Sequence, residues 1–148
     1  AVRRRIALPA FLSLWIGGAA SAWEFTPGAP CMLTNSTPDV DITLTYDPTK
    51  PLYSISLKKQ QPFPQAPVFG LQFSGALPLA IGTDRHIFSE GRTRVTVEDS
   101  GFGNVLNGLQ FNDAMTALVG AELIAVSLAG AAGPTEAFRA CESAPSLS

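Results

Sequence analysis

Few side chains in this sequence are of the kind that do acid–base or nucleophilic chemistry. The single histidine, His86, is the one imidazole that could serve as a general base near neutral pH. Asp99-Ser100-Gly101 sets a hydroxyl between a carboxylate and a glycine, as in the nucleophile context of some serine hydrolases. A small hydrolase would need Ser100, His86 and an acid such as Asp84 to meet within hydrogen-bond reach. Adjacent residues of an extended loop point apart, and a turn whose Asp and Ser bond local backbone accounts for the same three residues. His86, next to Arg85 in a strand-like stretch, reads as a partly exposed strand residue.

Asp39, Asp41 and Asp47 invite a calcium or glycosidase reading. Asp39 and Asp41 share one strand face and lack the glycine-centred loop of a calcium hand, so they read as solvated acids. Gly101-Phe102-Gly103-Asn104 is no phosphate cradle, because no Lys-Ser/Thr pair follows it, and neither a nucleotide nor any other cofactor is expected. Cys31 and Cys141 are the two cysteines. With no further Cys and one His they make a poor metal set, and no metal is expected. In an oxidising compartment they pair, closing a loop of about 110 residues and stapling the two ends of the domain.

That compartment is indicated by residues 1–22. Arg3-Arg4-Arg5 form a basic start, Ile6 to Ala19 an apolar stretch broken by Pro9 and Gly17-Gly18, and Ala20-Ser21-Ala22 an A-x-A cleavage signal, with cleavage between Ala22 and Trp23. The apolar run falls short of the roughly 20 residues that span a bilayer, so a cleaved leader and a periplasmic or secreted product are expected. An uncleaved leader would instead anchor the chain as an accessory subunit of a membrane complex, the one case in which the membrane is a partner. Three of the ten basic residues and none of the twelve acidic ones lie before Trp23, which leaves a mature charge of −5. That balance repels phosphate backbones, and no Lys/Arg stripe offsets it, so nucleic acid is not an expected partner.

Residues 23–141 read as one β-rich domain. Val40, Ile42, Leu44 and Tyr46 alternate with Asp41, Thr43, Thr45 and Asp47, and Tyr53, Ile55 and Leu57 with Ser54, Ser56 and Lys58. The short Asp47 to Pro51 connection makes these two strands an antiparallel hairpin. Three prolines make Gln60 to Pro67 an irregular crossing. Val68 to Phe73, Leu77 to Ile81, Arg85 to Phe88, Thr93 to Val97 and Leu123 to Leu128 are further strands. Periodicity leaves Val105 to Phe111 open between strand and helix. Asn112 and Asp113 are expected to cap a short helix over Ala114 to Leu118, and Gly133-Pro134 to open a last turn of helix carrying Phe138 and Cys141. Glu142 to Ser148 is expected to be a disordered tail. The fold class is therefore mainly β: an antiparallel sandwich or barrel-like domain with one or two short helices and one disulfide.

The order Asn107-Gly108-Leu109, Ala114 to Leu118, Ser127-Leu128-Ala129-Gly130 and Ala137-Phe138-Arg139-Ala140-Cys141 resembles small exported proteins of alphaproteobacteria, in particular the invasion-associated locus B family. The resemblance implies a periplasmic β-rich module of non-enzymatic role. The functional expectation is a non-catalytic binding or accessory protein of the cell envelope with a protein partner there. Phe63, in a proline-framed loop, and Phe102 are its candidate contact residues.

Overall fold

The computed structural model describes residues 22–143. Along the chain run β1 (Glu24–Thr26), β2 (Cys31–Ser36), β3 (Asp41–Asp47), β4 (Leu52–Lys58), β5 (Phe69–Gly75), β6 (Leu79–Thr83), β7 (Ile87–Ser89) and β8 (Arg94–Asp99). Then follow α1 (Gly103–Phe111), β9 (Asn112–Val119), β10 (Glu122–Ser127) and α2 (Ala132–Ser143). A six-stranded sheet, β1-β2-β3-β4-β8-β7, and a four-stranded sheet, β10-β9-β5-β6, contribute to one core, an open sandwich and not a closed barrel. Every strand pair is antiparallel.

Alternation drives the strands, as the expected hairpin illustrates. Tyr46 pairs with Tyr53, Leu44 with Ile55 and Ile42 with Leu57, and all six are buried. On the opposite face Thr45 and Ser54 share a hydrogen bond of 2.6 Å. The turn is held by Asp47, whose carboxylate accepts from the Thr49 amide at 2.9 Å and the Thr49 hydroxyl at 2.6 Å. Those two bonds hold the Asp47 carboxyl below its ordinary pKa.

After Asp99 the structure departs from the expected element order. Residues 103–111 are helix α1, and 112–119, expected to hold capping residues and a helix, are strand β9. Asn112 does cap a helix, but the preceding one. Its buried amide nitrogen donates to the Gly108 carbonyl in the last turn of α1 at 3.0 Å and to Leu77 O at 2.8 Å, while its oxygen accepts from Leu77 N. From there Met115, Ala117 and Val119 alternate inward between β5 and β10, and sheet pairing on both sides overrides local helix propensity.

Helix α1 lies hard against the smaller sheet at Gly108, where a Cβ would come within 2.4 to 2.6 Å of the Phe73 ring. Helix α2 packs beside α1, its Arg139 donating to Gln110 Oε1 at 2.6 Å and Asn107 Oδ1 at 2.7 Å. Buried Phe138 on α2 faces Tyr53, with ring centres 6.2 Å apart. As expected, Cys141 is disulfide-bonded to Cys31 at the start of β2. The helix runs to Ser143, so Glu142 and Ser143 belong to it and not to a disordered tail. The rest of that tail, 144–148, and residues 1–21 of the expected leader lie outside the described residues. Of the expected cleavage pair, Ala22 is exposed, whereas Trp23 is buried and donates its indole N–H to Ser127 O at 3.1 Å.

Candidate functional site

A cleft of about 460 Å³ opens between β4 and β8 of the larger sheet and β5 and β6 of the smaller. Ile55, Leu71, Ile81 and Val97 form its apolar walls, with Phe69, Phe102 and Val105. Thr83, Arg85, Asp99 and Asn104 supply its polar groups. A broader trough of about 580 Å³ lies over the outer face of the smaller sheet at Gly70 and Gly82, where no charged side chain lines it. The cleft combines apolar walls from both sheets with a charged rim, the composition typical of small-molecule sites.

The rim is positioned by residues 84–86, which carry the chain from the edge of the smaller sheet at β6 to the edge of the larger at β7. His86 anchors this strap. Its Nε2 lies 2.8 Å from the Ala66 carbonyl oxygen, so that nitrogen carries the proton and donates it, and its ring stands edge-on to Phe88 at 5.3 Å. Its Nδ1 is buried without a partner. Arg85, beside it, turns its Nη2 to Asp99 Oδ2 at 3.1 Å, and its own amide donates to Thr83 Oγ1. The Arg85 side chain is 69% exposed, so this pair contributes little to stability, at most about 1 kcal/mol. Asp99 Oδ1 accepts from the Ser100 amide at 2.7 Å. The Nε and Nη1 of Arg85 and the Asn104 amide make no hydrogen bond among the described residues.

The hydrolase constellation does not assemble. His86 is bonded to Ala66, Ser100 and Asp84 are exposed, and no hydrogen bond joins His86 to either. Nor is His86 a strand residue, since β7 begins at Ile87. Asp41 accepts from the Ser36 hydroxyl and Asp47 caps its own turn. Among the described residues no group of three His, Cys, Asp or Glu side chains gathers as a metal site requires.

Phe63 and Phe102 are not exposed contact residues. Phe63 is fully buried, its backbone clamped by Arg92: the Phe63 amide donates to Arg92 O at 2.7 Å and its carbonyl accepts from Arg92 Nε at 2.9 Å. The prolines on either side hold the loop so that it drives this ring into the core, with Lys59 Nζ above it at 4.7 Å. Phe102 is 4% exposed and stacks on Tyr53 at 5.2 Å. It reaches the cleft only as part of its wall.

Away from the cleft, Glu90 sits between Lys58 and Arg94 at the β7–β8 turn. The Lys58 ammonium, and after it the Arg94 guanidinium, hold its carboxyl below the ordinary range. Among the described residues no helix is long and apolar enough to cross a membrane.

Sequence reasoning weighed Ser100 and His86, with Asp84, as catalytic groups and passed over Arg85, Ile81, Val97 and Val105. The available signal was the small, polar run from Asp99 to Asn104, which marks a loop but does not say which strands it faces. Comparison with known proteins finds no family model, no curated protein and no solved structure that matches this chain.

Proposed function

We propose that this chain is a non-catalytic binding protein of the bacterial envelope, periplasmic or secreted, that holds a small and mostly apolar molecule between its two sheets. The cleft carries this reading. Its volume lies in the range of small-molecule sites, and its walls are apolar side chains of both sheets. The commitment of His86 to the Ala66 carbonyl supports a strut in place of a base. The extracytoplasmic setting is supported by the leader-like residues 1–22 and by a disulfide, which persists where thiols oxidise. The resemblance of residues 104–141 to the invasion-associated locus B family points to the same compartment. Handing the bound molecule to a protein partner in the envelope is the accessory role this reading implies.

The test is native mass spectrometry of the protein recovered from the envelope fraction of producing cells, compared with the same sample after denaturation. The expected result is a polypeptide beginning at Trp23 with both thiols blocked, carrying a noncovalent excess mass of a few hundred daltons. A ligand-free protein that also fails to enhance the fluorescence of N-phenyl-1-naphthylamine would refute the binding function.

A further inference from the structure

We infer that the molecule held in the cleft is an amphiphile with a single carboxylate, its apolar body between the sheets and its head group at Arg85. The inference rests on the cleft being a binding site and adds the chemical class of the ligand.

The unspent hydrogen-bonding capacity at the rim is chiefly donor. Among the residues lining the cleft Asp99 is the one carboxylate, and each of its oxygens already accepts a hydrogen bond, Oδ1 from the Ser100 amide and Oδ2 from Arg85. Arg85 uses one nitrogen on Asp99 and keeps Nε and Nη1 without a partner among the described residues, as does the Asn104 amide. A cationic head would find no unpaired carboxylate among the lining residues. A dianion would meet the Asp99 charge, whose oxygen lies 3.1 Å from the guanidinium that attracts it. Nη2 gives one of its two hydrogens to Asp99 and the other completes a fork with Nη1 or Nε, so a monoanion with two acceptor oxygens fits the remaining fork and meets less repulsion than a dianion. Below the rim, Ile55, Leu71, Ile81 and Val97 offer no polar side chain to a ligand's body.

Gly103 offers a position at which to crowd the cleft. It lines the cleft at the first residue of α1, its backbone is not left-handed, and a Cβ there would meet no atom within 4 Å. The first carbon of a larger side chain here stands in open space beside the cleft, so leucine is the substitution chosen to crowd it.

The experiment is displacement of N-phenyl-1-naphthylamine from the disulfide-bonded protein at low salt by decanoate, decanol and decyltrimethylammonium, with thermal unfolding of each variant as the control for folding. Decanol is the most apolar of the three, so a preference for decanoate requires a head-group contact. Decanoate is expected to displace at about fivefold lower concentration than decanol, the size of one partly solvated charge contact, with the cation weakest. Arg85→Gln should abolish the preference for decanoate over decanol, and Asp99→Asn, which frees the guanidinium, should increase it. Gly103→Leu should weaken all three and the dye itself. A decanol preference in the wild type, or a decanoate preference that survives Arg85→Gln, overturns the carboxylate assignment and leaves the binding site standing. Dye that does not bind, or that binds Gly103→Leu as it binds the wild type, overturns the site and the assignment together.

Discussion

Gly108→Ala sets helix propensity against packing, and the structure decides which prevails. Position 108 is in the middle of α1, where replacing glycine by alanine in an exposed helix stabilises by about 1 kcal/mol. Here the added Cβ would lie 2.4 Å from Phe73 Cδ2, 2.5 Å from Cε2 and 2.6 Å from Cγ. Carbon atoms in contact sit about 3.5 to 4.0 Å apart, so helix and ring must separate by roughly 1 Å. Phe73 is 1% exposed and cannot swing into water to make room. Overpacking of a closed core costs about 1 to 3 kcal/mol, the upper part of that range applying where the ring is enclosed. Subtracting the propensity gain leaves a net loss of about 1 to 2 kcal/mol, or roughly 4 to 8 °C in Tm for a domain this size. The assay is thermal and urea unfolding of wild type, Gly108→Ala, Phe73→Leu and the double variant. Phe73→Leu alone should destabilise, yet it should remove most of the alanine penalty, giving a coupling of at least about 1 kcal/mol. An alanine variant as stable as the wild type, or additive losses in the double variant, would refute the close approach of α1 to β5.

Phe63→Ala should cost about 3 to 5 kcal/mol in urea unfolding, as for a core ring; a loss under about 0.5 kcal/mol would return Phe63 to the surface. Replacing Cys31 and Cys141 together by alanine should lower stability by up to about 4 to 5 kcal/mol, the chain-entropy value for a loop of this length, and addition of reductant should then leave the variant's melting curve unchanged. For Glu90 the pH dependence has a defined sign. Its carboxyl titrates lower folded than unfolded, so its contribution to stability is present above the ordinary carboxylate pKa and is lost as pH falls through the folded value. Glu90→Gln should therefore flatten the fall in Tm on the acid side of about pH 4.5, and an unchanged acid limb would rule out its pairing with Lys58 and Arg94.

The parts of the fold legible in the sequence are those where a local rule and the tertiary environment agree. Residues 40–58 alternate in sequence because β3 and β4 lie inside the larger sheet, apolar on the buried face and polar on the other, where Arg94 covers Ser56, and Asp47 sits where the turn requires a backbone-bonding side chain. Residues 112–119 misread because the same asparagine that could begin a helix ends one here, a choice made by Leu77, 35 residues away. The prolines around Phe63 announce an irregular segment correctly but say nothing of its direction, which is set by the clamp with Arg92. The site suffered most. Its walls come from four strands of two sheets, and the pairing of Arg85 with Asp99 joins a strap to a strand end 14 residues away.

The disulfide also determines how the domain bears a load. A pull on the two ends of the chain enters through β1, crosses from Cys31 to Cys141 by the covalent bond, and leaves at the end of α2. Once β1 has peeled from β2 and Trp23 has let go of Ser127, everything between those two cysteines, the cleft included, lies on a loop that the covalent bridge bypasses. Tethered by one end and tugged by the other, the protein would surrender β1 and the last residues of α2 first, while the binding site kept its shape until the sulfur bridge was reduced.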